Sequence, residues 1–243
     1  TWVQSTNSWS TTAPHPVSTL INSQDAYCLF VRGSRAVDLS QAVYAIPDPT
    51  VLRITGTINN GVWPKTYTGI VANDILFVAN PYASSIDIAP MLLSAGGIYN
   101  NKFYVWDPAL AGNYGVGGYV TYSNGIMAPV TANYPVATTI IQGGQAFMVQ
   151  ANTTTASLSF NQSDKTASER DIFGIMAAPA YPAIYANLLT PSNNTLELAD
   201  GVAAAFGKNF SAEVDGNDAK KLWNFIENMA WVRGDKTLEI EFR

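Results

Sequence analysis

The sequence is nearly devoid of the side chains that carry most hydrolytic and metal-dependent catalysis, with one histidine and one cysteine in 243 residues. Such chemistry uses histidine, cysteine or clustered carboxylates as bases, nucleophiles or metal ligands. His15 lies between Pro14 and Pro16, and no Gly-x-Ser-x-Gly motif accompanies it. We therefore predict that the protein is not an enzyme and that it has no catalytic residues, cofactor-binding residues, metal ligands or cofactors.

The single cysteine, Cys28, excludes an internal disulfide because no second cysteine exists to pair with it. It lies in an apolar run, residues 26–31, whose composition suits a strand. A catalytic thiol would need a base close by, and this run supplies none. The sequence therefore predicts a buried thiol in a strand.

Charged side chains are also scarce, at 13% of residues, which is about half the usual share of a globular domain. Lys and Arg number 13 against 18 Asp and Glu, a formal charge of −5 at pH 7. A nucleic-acid-binding surface needs clustered basic side chains, so we expect no nucleic-acid partner. The longest apolar stretch, residues 172–180, is too short for a membrane span and contains glycine and proline.

What the sequence does have is a hydrophobic pattern with a dominant period of two, built from Val, Ile, Thr, Tyr and Phe. This pattern is typical of half-buried strands. The strand candidates are residues 26–31, 51–55, 75–79, 102–106, 119–122, 138–141, 146–150, 157–160, 184–189, 195–198 and 202–206. Many short strands predict an all-β fold, and we expect an antiparallel β-sandwich or jelly-roll-like arrangement.

Turn-forming residues separate these strands and tolerate positive φ. They are Asn59-Asn60-Gly61, Gly96-Gly97, Asn124-Gly125 and Gly143-Gly144. Gly234-Asp235 lies between two further strand candidates, residues 229–233 and 237–242, and predicts a hairpin near the C-terminus.

Two segments depart from the strand pattern. Residues 84–94 predict a short helix or helical turn, interrupted by Pro90. Residues 218–228 predict a short amphipathic helix near the C-terminus, with Asn217 or Asp218 as its N-cap. The apolar residues on one face of this helix would be Ala219, Leu222, Trp223 and Ile226.

A polar stretch at residues 161–166 marks a soft boundary between two parts of the chain. We place a β-sandwich domain at residues 1–165 and a smaller β-rich or partial domain, which includes the predicted helix, at residues 166–243. No signal peptide is recognisable at Thr1, and we expect an excised piece of a longer protein. The last strand, residues 237–242, has no downstream partner, so we expect an open edge where flanking domains or neighbouring subunits pair.

Two short motifs have both a functional and a structural interpretation. Asp215-Gly216-Asn217-Asp218 offers oxygen atoms that suit calcium, but Glu213 and Glu227 do not complete a calcium-loop spacing. Arg233-Gly234-Asp235 is the tripeptide of integrin ligands, but Gly-Asp is ordinary between two strands. We favour a capping turn for the first and a hairpin turn for the second, and calcium at residues 215–218 stays an open alternative.

Aromatic residues are frequent, with 6 Trp and 12 Tyr. Those near predicted loops or strand ends are Trp2, Trp9, Trp63, Tyr67, Tyr99, Tyr114 and Tyr119. Core packing is the commoner role of such residues. Exposed rings beside Asn and Asp also suit sugar binding, so glycans are an alternative partner. Glycoside hydrolysis needs two facing carboxylates, and Asp107, Asp171 and Glu197 have no motif around them.

A series of motifs occurs in order through most of the chain. They are Phe30-Val31-Arg32-Gly33-Ser34-Arg35, Leu52-Arg53-Ile54-Thr55-Gly56, Asn80-Pro81-Tyr82 with Ile86-Asp87, Phe103-Tyr104-Val105-Trp106-Asp107-Pro108, Gly143-Gly144-Gln145-Ala146-Phe147-Met148-Val149, Val214-Asp215-Gly216-Asn217-Asp218-Ala219-Lys220-Lys221-Leu222 and Leu238-Glu239-Ile240-Glu241-Phe242-Arg243. In this order they resemble the large extracellular proteins that Gram-negative bacteria export by the type IX secretion route.

The resemblance implies an extracellular, β-rich region beside or between adhesive modules, without catalytic residues. Such cargo carries a C-terminal sorting domain, so the type IX secretion machinery would be a partner through a sorting region missing from this sequence. We therefore expect a non-enzymatic structural or adhesive module, such as a stalk or filament part, of a secreted, cell-surface bacterial protein. The alternative is a glycan-binding module appended to an exported enzyme.

Overall fold

The computed structural model describes residues 2–3, 8–9, 25–28, 51, 53, 55–108, 110, 117–130, 139–167, 181–192, 195–225 and 227–243. The strands are β1 Trp2–Val3, β2 Ser8–Trp9, β3 Trp63–Thr68, β4 Ile75–Ala79, β5 Ile86–Asp87, β6 Lys102–Asp107, β7 Gly118–Ser123, β8 Ile126–Ala128, β9 Ile140–Ile141, β10 Ala146–Gln150, β11 Thr155–Phe160, β12 Ala183–Ser192, β13 Thr195–Ala205, β14 Ala219–Lys220, β15 Trp231–Arg233 and β16 Lys236–Phe242. Helix α1 spans Ala89–Ser94, and a 3-10 turn spans Gln162–Asp164. The prediction of a mostly β chain with antiparallel sheets is confirmed.

A first five-stranded sheet has the order β4-β10-β6-β7-β8, with antiparallel neighbours throughout. One face packs against helix α1 and the two-stranded sheet of β3 and β11, forming the first core. Phe103, Val105, Phe147 and Leu158 lie in this core and are at most 3% exposed. Because side chains alternate between the two faces of a strand, Phe103 and Val105 share one face of β6.

A second sheet has the order β12-β13-β16-β14, and β15 also pairs with β16. Strand β16 runs parallel to β13 and antiparallel to β14 and β15. Its apolar face joins β8 in a second core that contains Ile126, Ala203, Ile240 and Phe242. A Cβ at Gly201 would lie 2.9 Å from Pro129 Cβ, so glycine there permits the close approach of the two sheets.

The first sheet therefore has neighbours on both faces, since β7 and β8 contact β13, β14 and β16 of the second sheet. Strand β6 shows the result, because five of its six residues are buried instead of every second one. Phe103 and Val105 face the first core, so Lys102, Tyr104 and Trp106 face the second sheet. A strand covered on both faces contributes more to the interior than a half-buried one.

A predicted turn and a predicted hairpin are confirmed, and the turn proves to join two paired strands. Asn124 and Gly125 join β7 to β8 with φ values of 47° and 80°, the pair of positive angles that a tight two-residue hairpin turn needs. Gly234, with φ of 61°, lies in the turn between β15 and β16. The strands predicted at residues 75–79 and 146–150 have the same bounds in the structure.

Other local predictions need correction. Helix α1 is shorter than the predicted segment at residues 84–94, and Pro90 occupies its first turn, where proline is tolerated, instead of interrupting it. Strand β3 was not predicted, since Pro64 lies within it. Cys28 is exposed rather than buried, and described residues 26–28 are not in a strand. Residues 29–31 lie outside the described part of the chain.

The predicted amphipathic helix at residues 218–228 is wrong. Ala219 and Lys220 form β14, and the described residues between β14 and β15 have no helical turn. The Asn224 N–H donates to Asn228 Oδ1 at 2.7 Å, and Asn228 Nδ2 donates to the Asn224 carbonyl at 3.1 Å. Such side-chain bonds to the backbone compete with helical hydrogen bonds, so the apolar spacing does not produce a helix.

The expected open edge at residues 237–242 is also wrong. Strand β16 lies inside the second sheet, with β13 on one side and β14 and β15 on the other. The Phe242 N–H donates to Asp218 Oδ1 at 2.8 Å, and the Thr237 carbonyl accepts from the Lys221 N–H at 3.0 Å. The partners of β16 therefore come from strands earlier in the chain, and none from downstream is needed.

Candidate functional site

Buried polar side chains line the space between the two five-stranded sheets. They come from β6, β7, β13 and β16 and from the segment around β14. We call them the inner polar layer: Lys102, Tyr104, Thr121, Ser123, Asp200, Asp218, Lys221, Asn224 and Glu239. A polar layer in a protein interior is stable only where its groups are paired, so each contact within it constrains how the sheets pack.

At the centre of this layer lies a charged triad of Asp200, Lys221 and Glu239, whose side chains have no exposed area. Lys221 Nζ donates to Asp200 Oδ1 at 2.6 Å. It also lies 2.8 Å from Glu239 Oε2, which makes a second ion pair. The Met229 N–H donates to Asp200 Oδ2 at 2.6 Å. One ammonium therefore serves two carboxyl groups.

The triad changes the protonation of Glu239. Burial raises the pKa of the Glu239 carboxyl well above its ordinary value; Lys221 opposes this rise and Asp200 adds to it. Its Oε1 atom has no hydrogen-bond partner in the described structure. The rise in pKa means that the Glu239 carboxyl keeps its proton to a higher pH than an exposed glutamate, beside the ion pair of Asp200 and Lys221.

A second buried cation, Lys102, lies near the end of the layer. Its Nζ donates to the Asp218 carbonyl and lies 4.5 Å from the centre of the Tyr99 ring. Burial lowers the pKa of Lys102 to about 8, although Asp218 and Asp215 oppose the shift. A cation over an aromatic face gains electrostatic attraction that offsets part of its lost hydration.

The proposed calcium ligands at residues 215–218 form a hydrogen-bonded turn. Asp218 Oδ2 accepts from the Asp215 N–H at 2.7 Å, and Asp218 Oδ1 accepts from the Phe242 N–H. Asp215 Oδ1 accepts from the Asn217 N–H at 2.7 Å. Within the described ranges, no cluster of three or more His, Cys, Asp or Glu side chains has the arrangement of a metal site. These carboxylates hold the turn that leads into β14.

An aromatic cluster of Trp106, Tyr119 and Phe225 lies at the edge of the inner polar layer. Trp106 makes edge-to-face contacts with Tyr119 at 4.9 Å and with Phe225 at 5.6 Å between ring centres. Phe225 is 76% exposed, and Trp223 in the same segment is 58% exposed. Exposed rings on an ordered surface are available for stacking on a ligand.

Asn224 holds this aromatic segment in place. Its Oδ1 accepts from the Tyr119 N–H at 2.8 Å, and its side chain is buried. Its Nδ2 has no hydrogen-bond partner in the part of the chain that the structure describes. Lys221 and Met229, on either side of the segment, both bind Asp200. The exposed rings therefore project from a segment with three anchors.

The aromatic residues singled out in the sequence have different environments. Trp63 and Tyr67 pack against the first core, and the Tyr67 hydroxyl donates to the Phe77 carbonyl at 2.6 Å. Tyr99 lies beneath Lys102, and Tyr119 belongs to the aromatic cluster. Trp2 and Trp9 pair in the β1–β2 ladder. Tyr114 lies outside the described residues.

The remaining candidates do not meet in the described structure. Asp107 is buried at the end of β6, whereas Glu197 is exposed on β13 in the other sheet. Asp171 and His15 lie outside the described residues. Arg233-Gly234-Asp235 forms the exposed turn between β15 and β16, as expected of a hairpin.

The charged triad was not predicted from the sequence. Its only signal is that Asp200 and Glu239 interrupt apolar runs, Leu198-Ala199-Asp200-Gly201-Val202 and Leu238-Glu239-Ile240. In a strand with period two, an acidic residue at such a position is ordinarily the solvent-facing one. In the folded chain both side chains instead lie in the inner polar layer between the two sheets and are buried.

Comparison with known proteins adds no assignment, since no protein-family model, curated protein or solved structure matches the chain. In the described ranges, no helix is both long and apolar enough to span a bilayer.

Proposed function

We propose that the chain is a non-enzymatic structural or adhesive module of a secreted protein on a bacterial cell surface. The observation that carries this proposal is the charged triad, whose three side chains bind one another and have no exposed area. A side chain without exposed area cannot contact an external substrate. The triad therefore favours a role in specifying how the sheets pack over catalysis on another molecule.

Surface labelling tests the location. An antibody against this chain should label intact cells of the bacterium that makes it, and brief protease treatment of the intact cells should remove the signal. An antibody against a cytoplasmic protein serves as the control and should label permeabilised cells only. Labelling of this chain that also requires permeabilisation would contradict the proposal.

We also propose that the layered sheets form a β-sandwich-like body. Two cores support this architecture, one between the first sheet and β3–β11 and one between β8 and the second sheet. The jelly-roll version and the division at residue 165 stay predictions. Contacts of β7 and β8 with β13 and β16 cross that division.

Because β16 is not an edge strand, we propose that the predicted edge pairing occurs at β12 instead. In the described structure β12 pairs with β13 only, and Ile184 and Leu189 on it are 58% and 44% exposed. We propose that an extended segment of a neighbouring subunit pairs here. Ile184→Lys should abolish concentration-dependent self-association in sedimentation, whereas Val62→Lys, at another exposed site, should not. A monomer at all concentrations would contradict this partner.

A second function, glycan binding, is favoured by the aromatic cluster with its exposed neighbour Trp223. Sugar rings present C–H faces that pack on aromatic rings. Phe225 and Trp223 supply such exposed rings. This surface is separate from the buried triad, so both functions are compatible.

A glycan array distinguishes the two functions. Reproducible binding that is lost in Trp223→Ala and Phe225→Ala, but kept in Phe206→Ala, would establish the second function. Phe206 is the matched control, because it is 40% exposed and directly follows β13, outside the segment between β14 and β15. Binding that survives all three substitutions would exclude this surface as the sugar site.

A further inference from the structure

The charged triad joins three separate segments of the second sheet. Asp200 is on β13, Glu239 is on β16 between the flanking strands, and Lys221 directly follows β14. A nucleophilic amine, a carboxyl group and a second carboxyl group therefore meet at 2.6 and 2.8 Å in a site without exposed side-chain area. Ion pairing is one outcome of this arrangement, and covalent bond formation is another.

The distance between Lys221 and Asp200 is suited to bond formation. Lys221 Nζ is 2.6 Å from Asp200 Oδ1. Since a carboxyl carbon–oxygen bond is about 1.2 Å long, the amine nitrogen lies within roughly 3.8 Å of the carboxyl carbon. Reacting atoms held about 3–3.5 Å apart react at effective concentrations far above those of free groups in solution.

The other Asp200 oxygen lies where charge would develop. Asp200 Oδ2 accepts from the Met229 N–H at 2.6 Å. A backbone N–H fixed on a carboxyl oxygen stabilises the negative charge that oxygen gains when a nucleophile adds to the carbon. Oδ1, which contacts the amine, is then the oxygen that leaves.

Glu239 supplies a group that can move protons. Its Oε2 is 2.8 Å from Lys221 Nζ, and its Oε1 has no hydrogen-bond partner among the described residues. Burial raises the pKa of this carboxyl well above its ordinary range, although Lys221 opposes the shift. A carboxyl group in this position, with one oxygen at the amine, can give a proton to a leaving oxygen and take one from nitrogen.

We propose that Lys221 and Asp200 condense within the folded chain into an isopeptide amide, with Glu239 as the proton carrier. The ammonium first gives a proton to Asp200, which leaves an amine and a carboxylic acid. The amine nitrogen forms a bond to Cγ, and Glu239 takes a proton from nitrogen and returns one to Oδ1. The Cγ–Oδ1 bond then breaks, and Oδ1 leaves as water.

The reaction balances without any other reactant. One carboxylate and one ammonium become one amide and one water, no atom is oxidised or reduced, and Glu239 ends in the form in which it began. Oδ2 becomes the amide oxygen and keeps its contact with the Met229 N–H. The bond connects residues 21 positions apart and links the segments on either side of β16.

This modification goes beyond the proposed function, because a crosslink inside the sheet does not depend on where the protein is located or what it binds. It also changes how the sheet unfolds. Strands β13 and β14 could not separate from β16 independently of each other, because the bond joins them covalently. The loop between Asp200 and Lys221 would then stay closed in the unfolded chain.

Intact-mass spectrometry of the full chain under denaturing conditions tests the proposal. The chain should weigh about 18 Da less than its sequence, the mass of the one water lost in the condensation. Fragmentation of a protease digest should then yield a branched peptide that joins Lys221 to Asp200. The wild-type measurement is decisive alone, so the test does not require any variant to fold.

Variants identify the roles of the three residues. Lys221→Arg and Glu239→Gln should each restore the full sequence mass, because the first lacks the amine and the second lacks the acid. Asp200→Asn should lose about 17 Da, since ammonia then leaves in place of water. Lys220→Arg, at the exposed neighbouring lysine, is the matched control and should keep the loss of about 18 Da.

Two results would overturn the proposal. The first is a wild-type chain that circular dichroism shows to be folded β-structure but that has its full sequence mass after prolonged incubation. The second is a loss of water that maps elsewhere, for example to Asp215-Gly216, where an aspartate before glycine can cyclise onto its own backbone.

Discussion

Lys102 combines burial, a hydrogen bond and an aromatic contact in one side chain. It is 1% exposed, its Nζ donates to the Asp218 carbonyl, and the Tyr99 ring lies 4.5 Å away. These contacts do not replace all the hydration that an ammonium loses, so the pKa of Lys102 falls to about 8 from 10.5. Its charge therefore changes with pH in the folded chain before it does in the unfolded one.

The stability of the fold should rise between about pH 8 and pH 10. In that interval the folded chain releases the Lys102 proton while the unfolded chain, with a pKa of 10.5, still binds it. The state that binds more protons is disfavoured as pH rises, so the free energy of unfolding increases, by about 2 kcal/mol over the interval. Urea denaturation at successive pH values measures this change in the free energy of unfolding.

Lys102→Met should remove that rise, and Lys220→Met, at an exposed lysine, should keep it. Above pH 10 the trend reverses, because burial raises the pKa of Tyr67 and Tyr104 and the unfolded chain ionises its tyrosines first. An equal rise in the Lys102→Met variant and the wild type would show that another group is responsible.

At the scale of elements, the segment between β14 and β15 shows where local pattern and tertiary contacts disagree. The apolar spacing at residues 218–228 predicts a helix, but its anchors lie outside the segment. Lys221 and Met229 both bind Asp200, and Asn224 binds the backbone of Tyr119, 105 residues earlier in the chain. The free energy of these hydrogen bonds and ion pairs outweighs the small intrinsic helix propensity of such a short segment.

A pair of substitutions at Trp223 tests whether the segment is helical. In a helix, glycine is about 1 kcal/mol less favourable than alanine at an interior position. Since Trp223 is in a non-helical segment and 58% exposed, Trp223→Gly and Trp223→Ala should differ by less than about 0.5 kcal/mol in free energy of unfolding. A difference near the helical value would restore the helix that the sequence predicts.

The elements that the sequence does predict are those with local signals. Strands β4 and β10 are apolar runs between turn residues, and the turn between β7 and β8 follows from Asn124-Gly125, although β8 itself was not predicted. The register of β16 has no such signal, because its neighbours β13 and β14 are distant in sequence. A pattern of period two identifies a strand but not its partners.

The candidate site was predictable only in part. Tyr119 was identified from its position near a strand end, but Trp223 was assigned to the helix face and Glu239 has the appearance of an ordinary solvent-facing strand residue. The burial of Glu239 depends on which sheet covers it. That information comes from packing between elements, which the spacing of residues in one strand does not contain.

At the scale of the whole molecule, the central feature is a sheet covered on both faces, one cover apolar and the other partly polar. The apolar cover forms the first core, and the other combines the second core with the inner polar layer beneath the second sheet. Apolar burial supplies most of the stability of such a body. Charged and amide groups have directional partners, so the inner polar layer restricts the two sheets to one relative position.

Hydrogen exchange of backbone amides in the native chain tests this double covering most directly. We predict that the amides of β6 and β10 exchange slowest, at rates set by global unfolding, with β16 close to them. The amides of the edge strand β12 should exchange faster through local opening. Equal exchange rates in β6, β10 and β12, or faster exchange in β6 than in β12, would contradict the covered central sheet.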